Sequence, residues 1–253
     1  MKTLGGCIFI HNAINQDYHI VESVNCLKDL CDKIVVLDAG STDGTAPLLM
    51  PLEDEKTTVI YCSTSEWQKH QGREKLSFFT NLAASFLTTD YYFNLQADEC
   101  ISELCFPAIR EAIEKGYEGL YVKRINLWGD SQHQLEVPFE RSPVGTEIVR
   151  LAKVGYQSID DAESIACRHA TYEYLDKIRI YHTGFIRDNV KHLVKIRHMQ
   201  DDVFQIGHDK RIDGMTKFDP SVFFSVEDVV LIKEALPIFI QKWCYERDKM
   251  NSI

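Results

Sequence analysis

The residues from Ile34 to Thr45 read Ile-Val-Val-Leu-Asp-Ala-Gly-Ser-Thr-Asp-Gly-Thr, and this stretch decides the fold. Four consecutive apolar residues predict a buried strand of a parallel sheet. The run stops at Asp38, and the Gly, Ser and Asp residues that follow predict a polar turn before a short helix. Asp38 is therefore expected at the carboxyl end of a strand, the edge where open α/β sheets bind ligands. An ordinary turn with a helix-capping Asp explains the same residues, and both interpretations stay open.

Strand and helix patterns alternate around this stretch. Strands are predicted at Leu4–His11, Thr57–Cys62 and Tyr91–Leu95, and apolar residues recur at helical spacing over 17–31 and 71–86. This alternation, with short connections, is typical of a mostly parallel sheet with helices on both faces, so we expect an α/β fold. No Gly-x-Gly-x-x-Gly follows the first strand and the sequence contains no P-loop, which argues against NAD and ATP as ligands.

Composition restricts the class of protein. A chain of 253 residues is long enough for one α/β domain with appendages. The net charge of -10 argues against binding to duplex nucleic acid and suits a protein that recruits Mg²⁺ or Mn²⁺ to carboxylates. The eight cysteines form no Cys-x-x-Cys pair, which predicts reduced thiols and a cytoplasmic location. The N-terminal apolar run is too short to span a membrane, so no transmembrane segment is predicted.

A second group of carboxylates follows the fourth predicted strand. Asp98 and Glu99 come directly after Tyr91–Leu95, and in a parallel sheet they open on the same edge as Asp38. A ligand that carries a diphosphate needs a divalent cation at such an edge, held by carboxylates and phosphate oxygens. A pair of helix-capping residues explains Asp98 and Glu99 equally well.

Together these residues resemble the family-2 glycosyltransferases of the GT-A fold. Leu37–Thr45 is similar to that family's Val-Asp-Asp-Gly-Ser-Thr-Asp-Gly-Thr, and Asn94–Glu99 is similar to its Leu-Asp-Ala-Asp-Glu metal motif. The helix that carries Arg73 and Asn81 lies where the family has Gly-x-x-x-Ala-Arg-Asn. The resemblance covers roughly residues 4 to 125.

Beyond that range the resemblance is weaker, and within it there are two departures. Arg124–Gly129 and Tyr181–Arg187 look like elements of a bacterial and phage subset of these enzymes. Ala39 stands where the family has the second Asp of its Asp-Asp-Gly-Ser pattern, and Gln96 stands for the first Asp of Asp-x-Asp. The neutral amide of Gln96 removes one charge from the metal site, so the enzyme could also work without a metal.

What the resemblance implies is an inverting enzyme that transfers a sugar from a nucleotide sugar, most often UDP-linked, to an acceptor hydroxyl. Asp98 would hold Mn²⁺ or Mg²⁺ against the diphosphate, with His182 as a late metal ligand; a strand-end His bonded to backbone is the alternative for His182. The implied nucleotide-sugar site comprises Asn12, Asp38, Gly40, Ser41, Arg73, Asn81, Gln96 and Ala97. A catalytically silent domain that binds nucleotide sugar or glycan is the alternative function.

The acceptor is expected to be a glycan, a lipid-linked precursor or a small molecule. A modified base of phage DNA is a further option, which the acidic charge disfavours. The resemblance implies a Rossmann-like GT-A catalytic domain over 1–215, with a nucleotide-sugar-binding half (1–100) and an acceptor half (101–215). The remaining residues, 216–253, are expected to form a C-terminal helical extension.

An inverting transfer needs a carboxylate that deprotonates the acceptor hydroxyl. The second half of the chain has one dense acidic cluster near a predicted strand end, within Gln157–Ser164. Asp161 is the predicted base, with Asp160 and Glu163 as alternatives; a solvated acidic turn explains the cluster nearly as well.

Weaker candidates for the base are His169 and Glu147. The predicted helix over 188–205 carries Lys191, Lys195 and Arg197, which could neutralise phosphate or simply form a solvated helix face.

Overall fold

Four parallel strands form the first half of the sheet in the computed structural model, which describes residues 1–136, 146–204, 209–219, 222 and 226–251. They are β1 (Leu4–Ile10), β2 (Lys33–Asp38), β3 (Thr57–Tyr61) and β4 (Tyr91–Asn94). Their spatial order is β3-β2-β1-β4, and every neighbouring pair is parallel. Their carboxyl ends therefore share one edge of the sheet.

Helices cover both faces of these strands. They are α1 (Ile20–Lys28), α2 (Thr45–Leu49), α3 (Thr64–Lys69), α4 (Glu74–Ser85) and α5 (Phe106–Lys115). Residues of α1 and α5 pack in one hydrophobic cluster, and residues of α3 and α4 pack in a second one.

The residues of β2 explain its uninterrupted apolar run. Ile34 and Val36 belong to the cluster of α1, whereas Val35 and Leu37 belong to the cluster of α4. Successive side chains of a strand point to opposite faces, so a strand covered on both sides has no polar face. The expected α/β class, with a mostly parallel sheet and helices on both faces, is confirmed.

The second half of the chain extends the sheet with antiparallel strands. Its main strands are β6 (Gly119–Trp128), β8 (Glu147–Lys153) and β12 (Arg179–Phe185). β8 lies between β4 and β6 and is antiparallel to both, while β12 runs parallel to β6 and antiparallel to the short β5 (Glu99–Ile101). The sequence suggested that His182 stands at a strand end, whereas in the structure it lies inside β12.

Short strands complete the sheet and form one separate hairpin. β7 (His133–Leu135) pairs antiparallel with β6, and β11 (Ala170–Thr171) pairs parallel with β6. β9 (Ser158–Ile159) and β10 (Ser164–Ile165) form a two-stranded hairpin whose turn is the acidic cluster predicted from the sequence. That cluster is therefore a hairpin turn.

The predicted helix after β12 exists and ends in a π-helical segment. α6 (Asn189–His198) is capped by Asp188, whose carboxylate accepts from the N–H groups of Val190 and Lys191, and π-helix Met199–Phe204 follows directly. π-helical turns occur frequently at functional sites.

The C-terminal region contains a strand as well as a helix. α7 (Ile238–Asn251) packs Ile240 and Cys244 into the cluster of α1, while β13 (Val229–Leu231) pairs with β7. The region expected to form a C-terminal helical extension thus contributes a strand to the main sheet as well as a helix. Over the described ranges, no helix has the length and apolar character needed to cross a membrane.

Candidate functional site

A cavity of about 190 Å³ opens at the carboxyl ends of β1 and β4. It is enclosed by the end of β1, by α3 and α4, by the turn after β4, by the hairpin turn and by α6 with its π-helical segment. Seven residues singled out in the sequence line it together: Gln96, Ala97, Asp98, Asp161, Glu163, His182 and Lys195. The tertiary structure thus brings the turn after β4 next to an acidic cluster that lies some 60 residues further along the chain.

The turn after β4 is held from several sides. The N–H of Gln96 donates to Oε2 of Glu99 at 2.9 Å, and the N–H of Glu99 donates back to the carbonyl of Gln96 at 3.0 Å. Ser23 of α1 donates its hydroxyl to the carbonyl of Ala97 at 3.1 Å, and Thr183 of β12 donates its N–H to the carbonyl of Asp98 at 2.9 Å. These bonds fix the backbone from which the Asp98 side chain reaches the cavity.

Glu99 belongs to a buried chain of ion pairs. Its Oε1 lies 2.6 Å from Arg150 and 3.6 Å from Arg124, and all three side chains are at most 1% exposed. Arg124 also donates to Glu163 at 2.9 Å. The two arginines therefore offset both glutamates and tie the turn after β4 to the hairpin turn, so Glu99 and Glu163 have structural partners.

Asp98 is almost fully buried and faces three cationic or potentially cationic side chains. Its Oδ2 lies 2.9 Å from Nζ of Lys195, 3.1 Å from Nη2 of Arg187 and 3.5 Å from Nε2 of His182. Burial alone would raise the pKa of Asp98, but the charges of Lys195, His182 and Arg187 outweigh it and hold the pKa well below its usual range. Asp98 is consequently ionised at neutral pH.

Lys195 and Arg187 differ in how they are held. Arg187 is 1% exposed and donates to the carbonyls of Gly184 and Gln16 as well as to Asp98. Lys195 lines the cavity, and burial together with Arg187 lowers the pKa of its ammonium to about 8. Both groups lie against the ring of Tyr18, with Nζ of Lys195 5.0 Å and Cζ of Arg187 5.2 Å from its centroid, which is a favourable cation–π arrangement.

His182 is oriented by its neighbours. Its Nδ1 lies 3.0 Å from Oδ1 of Asn126, the residue opposite it in the register of β6 and β12. A Cβ on Gly184 would lie 2.4 Å from the imidazole ring, so only glycine leaves room for it. An imidazole held through one nitrogen often ligates a metal through the other.

The donor set around Asp98 nevertheless does not fit the divalent cation expected from the sequence. Among the described residues, no three His, Cys, Asp or Glu side chains come together as metal ligands. The Asp98 oxygen that faces His182 already receives Arg187 and Lys195 at hydrogen-bond distance. Both side chains are cationic, so a divalent metal ion at this oxygen would meet strong repulsion.

Asp38 lies at the end of β2, where the sequence predicted it, but its carboxylate faces the following turn. Oδ1 accepts from the N–H of Ser41 at 2.8 Å, and the side chain is 3% exposed. Gly40 has a φ of +77°, and a Cβ on it would lie 2.6 Å from the carbonyl of Ser63, so the turn requires glycine. Asp38, Gly40 and Ser41 are not among the described residues that line the cavity.

Asn12 joins the end of β1 to the same turn. Its N–H donates to Oγ of Ser41 and its Oδ1 accepts from the N–H of Thr42, both at 2.8 Å. Asn12 has a φ of +55°, a left-handed conformation that asparagine tolerates better than most residues. It also lines a second cavity, of about 630 Å³, which adjoins the first one because Gln16 and His198 line both.

The hairpin turn is fixed to α4 by a predicted site residue. Asn81 donates to the carbonyl of Ser158 at 2.9 Å and accepts from its N–H at 2.8 Å, so its amide supports the backbone of the hairpin. Arg73 lies beside the turn, with Nη1 3.8 Å from Oδ2 of Asp161. Neither Arg73 nor Asn81 lines the cavity in the described structure.

Within the turn, Asp161 is the half-buried carboxylate and Asp160 is exposed. Burial, followed by the nearby charge of Glu163, raises the pKa of Asp161, while Arg73 opposes the shift. Of the weaker candidates, Glu147 is exposed at the start of β8 and His169 is exposed before β11.

An aromatic wall of the cavity was not predicted from the sequence. The imidazole of His11 stacks on Trp67 with ring centroids 3.9 Å apart and an angle of 11° between the planes. Burial lowers the pKa of His11 to about 4, so the ring is neutral at pH 7. The only sequence signal was a His at the end of the first strand; Trp67 lies on a short helix that no pattern indicated.

Comparisons with known proteins were made for sequence and for structure. No protein-family model and no curated protein matches the sequence. Similar solved structures include S. aureus TarS residues 1–349, at 13% identity, 80% coverage of this chain and 66% of that one, with a TM-score of 0.46. A longer S. aureus TarS structure is 12% identical, with 80% of this chain and 40% of that one covered and a TM-score of 0.45. The M. tuberculosis glucosyl-3-phosphoglycerate synthase is 19% identical, with 49% of this chain and 45% of that one covered and a TM-score of 0.35. The chain thus spans between 40% and 66% of these proteins.

Proposed function

We propose that this chain is a glycosyltransferase that transfers a sugar from a UDP-linked donor to an acceptor hydroxyl with inversion at the anomeric carbon. The observation that carries the proposal is that Asp161, a half-buried carboxylate with a raised pKa, lines the same cavity as Lys195, the lysine paired with Asp98. A transfer of this kind needs a base on one side of the sugar and positive charge at the leaving diphosphate on the other. The similarity of Leu37–Thr45 and Asn94–Glu99 to family-2 motifs supports the same activity.

In the proposed reaction Asp161 accepts the proton of the acceptor hydroxyl. The acceptor oxygen forms a bond to the anomeric carbon on the face opposite the diphosphate. The bond from that carbon to the diphosphate oxygen breaks, and its electron pair goes to the diphosphate. The neutral stacked rings of His11 and Trp67 offer an apolar wall to the donor, and the second cavity, which Asn12 and Lys191 line, leaves room for part of a larger ligand.

Incubation of the protein with UDP-, GDP- and dTDP-sugars tests the activity. Release of a nucleoside diphosphate, measured by a coupled assay, is the expected result. A donor present at a free concentration of 100 times its Kd should also stabilise the fold by about 2.7 kcal/mol. Binding without hydrolysis, and without transfer to any of a set of glycan and lipid-linked acceptors, would instead indicate the catalytically silent domain. Absence of binding to all donors contradicts the transferase, and of the silent domain it leaves only the form that binds glycan.

Asp38 offers a test of the nucleotide position. Asp38→Asn keeps an oxygen that can accept from the N–H of Ser41, but it turns the second carboxylate oxygen into a donor that cannot accept from a base N–H. We expect UDP affinity to fall by about 1–3 kcal/mol, the cost of leaving a polar partner unpaired. Calorimetry with UDP measures this. Unchanged affinity in a variant with an unchanged melting temperature would remove Asp38 from the site.

The rate of transfer should depend on pH through Asp161. A base must be ionised, so kcat/KM should be full above the pKa of Asp161 and should fall as the pH drops through it. Because burial and Glu163 raise this pKa, the loss should begin at a higher pH than an ordinary Asp would give. Arg73→Gln removes an opposing charge and should move the loss further up the pH scale. A profile that Arg73→Gln leaves in place would speak against Asp161.

A further inference from the structure

The polar group at the base of the cavity carries an excess of positive charge. Asp98 contributes one negative charge, while Arg187 and Lys195 contribute one positive charge each, all within 3.1 Å of one carboxylate oxygen. The neighbouring acids do not cancel this excess, because Glu99 and Glu163 are already paired with Arg124 and Arg150, and Asp161 lies 3.8 Å from Arg73. The site is therefore complementary to an anion.

Lys195 is the member of this group that can reach a ligand. Arg187 is 1% exposed and has its donors directed to Gly184, Gln16 and Asp98, so it acts as a fixed charge. An ammonium has three donors, and Asp98 takes one of those of Lys195 at 2.9 Å. The side chain of Lys195 is 16% exposed and lines the cavity.

We infer that Lys195, supported by Arg187, binds the diphosphate of a nucleotide ligand directly and does there what a divalent cation was expected to do. Asp98 is then a positioning residue that holds the ammonium in place through their ion pair. This inference rests on the proposed function for the identity of the ligand, and it deepens it by making diphosphate binding independent of metal. Gln96, the neutral residue where the family motif has its first Asp, agrees with such a site.

The test compares a nucleoside diphosphate with its own nucleoside. Calorimetry first selects the tightest ligand among UDP, GDP, CDP and ADP, in EDTA and again with Mn²⁺. We expect the same Kd in both buffers. Lys195→Met should then weaken the diphosphate by about 10- to 100-fold, the worth of a hydrogen bond to a charged group, without changing the affinity for the matching nucleoside.

Two further variants separate a binding role from a structural one. Lys195→Arg keeps the charge and should retain most of the affinity for the diphosphate. Lys28→Met is the matched control, because Lys28 is a helical lysine paired with Asp54 at 2.6 Å outside the cavity, and it should leave both ligands unaffected.

Each outcome bears on a different statement. Binding that tightens strongly with Mn²⁺ and is lost in EDTA overturns the inference but keeps the proposed function. An equal loss of diphosphate and nucleoside affinity in Lys195→Met, together with no rescue in Lys195→Arg, also overturns it. If none of the four nucleoside diphosphates binds in either buffer, the proposed function fails and the inference fails with it.

Discussion

Replacing Asp161 by Asn should lower the turnover of sugar transfer by about 10²–10⁴-fold, the usual effect of removing a general base. The replacement is nearly isosteric, so the hairpin turn should keep its backbone. The affinity for the nucleotide should not change, because the proposed reaction places Asp161 on the face of the sugar opposite the diphosphate, and Asp161 is not among the residues expected to bind the nucleotide. The measurement is kcat with a saturating donor, together with the Kd of the nucleoside diphosphate.

The structure gives a reason to prefer Asp161 over its two neighbours. Asp160 is exposed and has a φ of +51°, and Glu163 is held by Arg124 at 2.9 Å. Asp161 lines the cavity and has a raised pKa, which suits a group that must take up a proton. Asp160→Asn and Glu163→Gln decide among the three: full transfer in Asp161→Asn, with loss in either of the others, would show that the prediction is wrong.

Replacing Glu99 by Ala should lower the free energy of unfolding by about 3–5 kcal/mol, since it leaves a buried charge without its partner. Glu99 is fully buried, and the guanidinium of Arg150, 2.6 Å away, is fully buried as well. The variant also removes the acceptor for the N–H of Gln96, which should loosen the turn that carries Asp98. Unfolding in urea, followed by circular dichroism, measures the effect.

A matched control exists on the surface. Glu66 pairs with Lys69 at 2.7 Å on α3, where water solvates both charges. Glu66→Ala should therefore leave the urea midpoint almost unchanged, since exposed pairs contribute little. If Glu99→Ala unfolds at the same urea concentration as Glu66→Ala, the buried pairs do not stabilise the fold in the way argued above.

The sequence by itself determined the local elements of this protein. The run from Ile34 to Leu37 predicted a strand covered on both faces, because it leaves no side for water, and the structure has that strand. Gly40 has a positive φ, and it lies in the polar turn that the sequence predicted. The acidic cluster and its connection to a strand end were also visible, since each of these patterns is carried by residues adjacent in the chain.

Only the tertiary structure decided which charges meet. Asp98 pairs with Arg187 and Lys195, and Glu99 pairs with Arg150, although long stretches of chain separate the partners. The register of β12 against β5 and β6 brings His182 opposite both Glu99 and Asn126. Periodicity and turn propensity act over a few residues, and charged side chains carry no local mark of their partners. A metal site and a site built on a lysine therefore look alike in sequence, and they differ only in which cations the folded chain sets beside the carboxylate.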